Sequence, residues 1–124
     1  MFKLIVENFG KVAVVYCEGR IVRSDAAFRL RDAVTQQWDA RVVLLDLSGV
    51  GALEGGGLGM LLFLDVWTRN RGIQLKVFDP TASVRKSIER VRCAVRVEIA
   101  GMAEVLSLLR WGRGQLWDRS LRTA

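Results

Sequence analysis

Asp46-Leu47-Ser48-Gly49-Val50-Gly51-Ala52-Leu53-Glu54-Gly55-Gly56-Gly57-Leu58-Gly59 is the stretch whose reading decides the fold. It follows four consecutive aliphatics, Val42-Val43-Leu44-Leu45, which read as a strand buried on both faces, as in a sheet covered by helices. Asp46 ends that run. A short loop with three consecutive glycines follows, and an apolar helix-like stretch begins at Leu58. Strand, loop and helix N-terminus in this order commonly present a site in α/β proteins.

Toward the N-terminus, Phe2, Leu4 and Val6 alternate with Lys3, Ile5 and Glu7 as in an edge-like strand, and Asn8-Phe9-Gly10 offers a turn. Val12 to Cys17 reads as a second, more buried strand. Ser24 or Asp25 is placed to cap a helix whose apolar face is Ala27, Leu30, Val34 and Trp38. The third strand is expected over Arg41 to Leu47. Beyond the glycines, a second helix is expected over Leu58 to Arg69 with Gly72 as its C-terminal cap. Ile73 to Phe78 alternates as a fourth strand, and Pro80 stops it. Thr81 is placed to cap a third helix carrying Val84, Ile88 and Val91. Val95-Arg96-Val97 reads as a short last strand, and Met102, Val105, Leu106 and Leu109 give a fourth helix its apolar face. The expected fold is α/β, a mixed sheet of four to five strands with about four helices packed on it. No internal repeat is visible.

With 124 residues, 51% of them hydrophobic and a single proline, the chain reads as one domain with a modest core. The longest apolar run, Leu58 to Leu64, is far shorter than the roughly 20 residues of a membrane span. The first residues look like a strand rather than a signal peptide, so a cytoplasmic protein is expected. Cys17 and Cys93 lie in apolar stretches without CxxC spacing and are expected to be buried thiols. The chain has no histidine. A zinc site and a Cys–His nucleophile therefore have almost no ligands to draw on, and neither a metal nor another cofactor is expected. The net charge of +6 arises from 19 basic and 13 acidic residues dispersed along the chain. With no long basic run, a solvated surface is expected rather than a specific nucleic-acid interface.

The stretch resembles the signature of the STAS domain, the fold of bacterial anti-sigma-factor antagonists. In that family, aspartate-leucine-serine-glycine-valine is followed by three variable residues and then aspartate-serine-serine-glycine-leucine-glycine. The resemblance covers roughly residues 2–109 and treats residues 110–124, with Trp111 and Trp117, as a C-terminal extension. It implies that a partner kinase phosphorylates the first serine after the second aspartate. Here that position is Gly55, and Gly56 also lacks a hydroxyl, so no phosphosite is expected there. Glu54 replaces the usual aspartate and keeps a negative charge near the helix start, where it could act as a permanent stand-in for phosphate.

The resemblance implies a non-enzymatic regulatory module that binds an anti-sigma factor or a kinase-type regulatory protein. Glu54, Gly55, Gly56, Gly57, Leu58, Met60 and Leu61 are the expected partner-binding residues. An apolar surface on the second helix is either such a docking surface or is covered by Trp111, Leu116 and Trp117. The same helix or tail also offers a homodimer contact. Two other readings stay open: a STAS subunit of a lipid-type membrane transporter, bound to its ATPase, and a small-ligand or nucleotide sensor using the glycine N–H groups as an anion nest. The glycine spacing fits neither a P-loop nor a dinucleotide fingerprint.

Overall fold

The computed structural model describes the backbone of residues 1–123 and the side chains of residues 1–114. The elements run β1 (Lys3–Phe9), β2 (Val12–Ile21), α1 (Ser24–Thr35), β3 (Val42–Leu53), α2 (Gly56–Asn70), β4 (Gln74–Phe78), α3 (Ala82–Arg90), β5 (Glu98–Ala100) and α4 (Met102–Thr123). The five strands lie in the order β1-β2-β3-β4-β5. β1 is antiparallel to β2, and all other neighbours are parallel. Val12 stands opposite Val42, and Val42 opposite Gln74. The turns that precede β2, β3 and β4 therefore gather at one end of the molecule, and the loops that follow β2 and β3 gather at the other.

Alternation along the strands divides the core between the two faces of the sheet. Ala13, Val15, Val43, Leu45, Leu75 and Val77 pack beneath α1, α2 and α3, which contribute Leu30, Val34, Leu61, Leu64, Val84 and Ile88. Val12, Val14, Val42, Leu44 and Ala100 form a smaller cluster on the opposite face, under Val105, Leu108 and Leu109 of α4. The four aliphatics at 42–45 are thus buried on both sides, as expected.

Several boundaries differ from the sequence reading. β3 continues to Leu53 instead of stopping at Leu47. Val50, Ala52 and Leu53 are buried while Gly49 and Gly51 are exposed, so tertiary pairing with β2 overrides the turn-like composition. The β2–β3 register slips between Tyr16 and Glu18, where Asp46 Oδ1 accepts hydrogen bonds from the Ser48 N–H at 3.0 Å and the Ser48 hydroxyl at 2.7 Å. Arg23, not Ser24 or Asp25, occupies the N-cap of α1, without a side-chain bond. Trp38 leaves the helical face because α1 ends at Thr35 and the chain turns. The last strand is Glu98–Ala100; Val95 is buried as part of an irregular segment instead. Asp65, buried in α2, holds that segment by accepting from the Arg96 N–H at 3.3 Å and pairs with Arg69 at 3.0 Å. On α4 the packed side chains are Val105, Leu108 and Leu109, while Met102 and Leu106 are exposed. The helix runs through residue 110 without a break, and Gly112 lies so close to Phe9 and Gly10 that a side chain there would meet the Phe9 carbonyl.

Candidate functional site

The site is built where the chain leaves β2 and β3. The Glu54 N–H donates to the Ile21 carbonyl at 3.2 Å, and the Gly56 N–H donates to the Val22 carbonyl at 3.1 Å. These bonds lay the two loops side by side and bring the N-termini of α1 and α2 together. Gly57, in the first turn of α2, rests against the Ile21 backbone, where any Cβ would meet the Ile21 carbonyl oxygen. α3 joins from a third side: the Thr81 hydroxyl donates to the Val50 carbonyl at 2.9 Å and accepts from the Val84 N–H, the expected cap. Arg90 of α3 reaches Glu54 at 3.9 Å.

Gly55 is the N-cap of α2, with φ 52° and ψ −122°. The N–H groups expected to form an anion nest are largely engaged. Gly56 donates to Val22, Gly57 and Leu58 donate to the Glu54 carbonyl, and Gly59 donates to the Gly55 carbonyl. The glycines serve loop-to-loop packing and helix initiation, and the nucleotide reading loses most of its donors.

Glu54, Gly55 and Gly56 are exposed, Leu58 and Met60 are half-buried against the main core, and Gly57 is buried. Leu61, expected on the partner surface, is 1% exposed and lies in the core, so it does not reach the surface. The core-facing side of α2 is Gly57, Leu61, Leu64, Asp65 and Thr68. Its outward side carries Gly59, Phe63 and Val66, with Leu62 half-buried beside them. Phe63 and Val66 are 48% and 47% exposed. The sequence reading missed this stripe as specific residues, although the helical phase set by Leu61, Leu64 and Thr68 points to it. Phe28 of α1 is also 48% exposed, with Arg31 stacked over its ring.

The C-terminal helix does not cover this surface with Trp111. α4 lies on the opposite face of the sheet, and Trp111 lines a crevice with Arg41, Gly72 and Leu108. The side chains of Leu116 and Trp117 lie outside the described residues. The two cysteines differ: Cys17 is buried as expected, whereas Cys93 is exposed. Burial first, and then the nearby Asp46 charge, push the Cys17 thiol up to about 12, far from a reactive thiolate.

Comparison with solved structures bears on this geometry. The anti-sigma factor antagonist SpoIIAA in its unphosphorylated form superposes with a TM-score of 0.67 at 14% identity, covering 89% of this chain and 96% of that one. An anti-sigma factor antagonist from Mycobacterium paratuberculosis gives a TM-score of 0.69 at 19% identity, covering 89% and 95%. SLC26A9 gives 0.64 at 11% identity, covering 92% of this chain and 21% of that one. At these identities the likeness is one of fold. A comparison with curated proteins gives no match. The STAS domain family model matches residues 3–101, from β1 through β5, and includes the whole of the signature stretch. The chain belongs to the STAS domain family.

Proposed function

We propose that this protein is a non-enzymatic, cytoplasmic regulatory module that binds another protein through Glu54, Gly55 and Gly56 and the outward stripe of α2. The observation that carries this reading is the exposed Gly59–Phe63–Val66 stripe immediately beside the signature loop. Apolar area left in water next to a built loop is characteristic of a protein interface. The partner class is an anti-sigma factor or kinase-type regulator, on the strength of the antagonists that share the fold. Gly55 offers no hydroxyl to phosphorylate, so binding at this site is constitutive or controlled elsewhere.

A second reading, a subunit of a membrane transporter complex, draws on the fold likeness to part of SLC26A9. Affinity capture with the wild-type chain and with Phe63→Glu separates the two. Recovery of a kinase-fold or sigma-regulating protein, weakened about tenfold or more by the substitution, supports the first. Recovery of a transporter ATPase supports the second. Capture that is indifferent to Phe63→Glu, in a variant with wild-type circular dichroism, removes the α2 stripe from the interface.

A further inference from the structure

The end of the molecule opposite the signature loop collects a different chemistry. Trp38 stands at 66% exposure on the turn between α1 and β3. Trp111, 40% exposed, lies across the crevice from Arg41 and Gly72. Trp67 is half-buried at the end of α2, with the Arg71 guanidinium 4.7 Å from its ring centroid. Arg113 stacks over Phe9 at 5.3 Å. Three of the four tryptophans of the chain therefore lie at the end where the turns before β2, β3 and β4 converge.

The charge at this end is one-sided. Arg41, Arg71 and Arg113 are exposed, and among the described residues none of them forms an ion pair. Asp39, the acid on the Trp38 turn, is paired with Lys11 at 3.0 Å. At the signature end, by contrast, Glu54 and Asp25 are interspersed with Arg20, Arg23 and Arg90. Arg41, Arg71 and Arg113, far apart in sequence, thus lie at the same end as the exposed indoles of Trp38 and Trp111.

We propose that this tryptophan- and arginine-bearing end is a peripheral contact surface for an anionic lipid bilayer. Indole rings settle at the headgroup level, where their apolar body and N–H are both accommodated. Arginines around them are drawn to the negative surface. No described helix is long and apolar enough to cross a membrane, so the contact is interfacial. A second copy of the chain is a poorer occupant, because end-to-end association sets Arg41, Arg71 and Arg113 against their like charges. Single-stranded nucleic acid is also poorer: it stacks bases on free ring faces, and arginines already occupy a face of Trp67 and of Phe9. The surface lies away from the α2 stripe, so both can be engaged together.

Co-sedimentation of the full chain with phosphatidylcholine vesicles, with and without phosphatidylglycerol, tests this. The expected result is binding to the anionic vesicles that weakens as salt rises, with a blue shift of tryptophan fluorescence. Arg41→Gln and Arg71→Gln each lower the partition about fivefold. Trp38→Ala lowers it further and removes most of the shift, while Glu54→Gln leaves it unchanged. All variants should melt at the wild-type temperature, since these side chains are exposed. Absent vesicle binding, equal binding to neutral and anionic vesicles, or binding indifferent to these substitutions overturns the proposal. So does a complex with a single-stranded oligonucleotide that needs the same residues while vesicles stay bare.

Discussion

Gly55 sits at φ 52° and ψ −122°, a combination that a residue with a Cβ adopts only at a cost of about 1–3 kcal/mol. The missing hydroxyl is legible in the sequence; the backbone conformation that makes glycine the fitting residue is not. Gly55→Ser is therefore expected to lower the unfolding free energy by about 1–3 kcal/mol. Urea titration reads this as a lower midpoint with an unchanged slope. A serine variant as stable as the wild type would mean that the loop relaxes freely and that the glycine is there only for want of a hydroxyl. Its neighbour Gly57 has a different reason to be glycine, its contact with the Ile21 backbone. Two residues that look equivalent in the triple-glycine run are thus fixed by strain in one case and by close approach in the other. Such roles depend on φ and on a partner more than 30 residues away, which a glycine-rich string does not display.

At the scale of elements, α4 is held to the sheet by a clasp around Lys76. This β4 lysine is buried, and its Nζ lies 2.8 Å from Glu98 of β5 and 2.9 Å from Glu104 in the first turn of α4. Burial disfavours the ammonium, but hydrogen bonds and charge from the two carboxylates outweigh it and hold Lys76 above its ordinary value of 10.5. The hydrogen bond and charge of Lys76 hold Glu98 below its ordinary 4.5. Glu98 therefore contributes above pH 4.5 and loses that contribution as pH falls through its folded-state value. The Lys76 contribution is full below pH 10.5 and is lost as pH rises through its folded-state value. Lys76→Met should cost about 1–2 kcal/mol at neutral pH, modest because both carboxylates can rehydrate. It should also flatten the loss of stability below pH 4.5, as urea midpoints across pH would show. An acid limb as steep as the wild type's would place the titrating group elsewhere. The alternating apolar positions of β1 and β4, the apolar run Val12 to Cys17 of β2 and the helical spacing of Val84 and Ile88 made those elements readable in advance. β5 was misplaced because Val95 and Val97 look like strand residues, while the pairing edge belongs to Glu98–Ala100. The Asp65 carboxylate, which fixes the intervening segment, acts from 31 residues away.

Across the whole molecule, the two faces of the sheet carry unequal cores. The α1–α2–α3 face includes Ile21, Leu30, Leu45, Leu47, Leu53, Leu61 and Leu64, each no more than 1% exposed. The α4 face rests on Val12, Val14, Val42, Leu44 and Ala100, and β5, with three residues, pairs only with β4. The sequence made the first core readable because two amphipathic segments and the apolar stretch from Leu58 declared it. It did not show that the last helix lies alone on the other face, nor that scattered arginines and tryptophans lie at one end, since both depend on the path of the chain. The unequal burial ranks the regions by how readily they open. Amides of β5 and of the first turns of α4 should exchange with solvent by opening at a lower free energy than those of β2 and β3, which are enclosed on both sides. Native-state hydrogen exchange followed by mass spectrometry checks this on peptides spanning residues 98–114 and 42–53. Because the signature loop hangs on the α1–α2–α3 face, opening of α4 should leave protection at Gly56 and Gly57 unchanged. Equal opening free energies for α4 and β3 would instead make the domain one cooperative unit, and would bind the signature loop to the fate of the helix behind it.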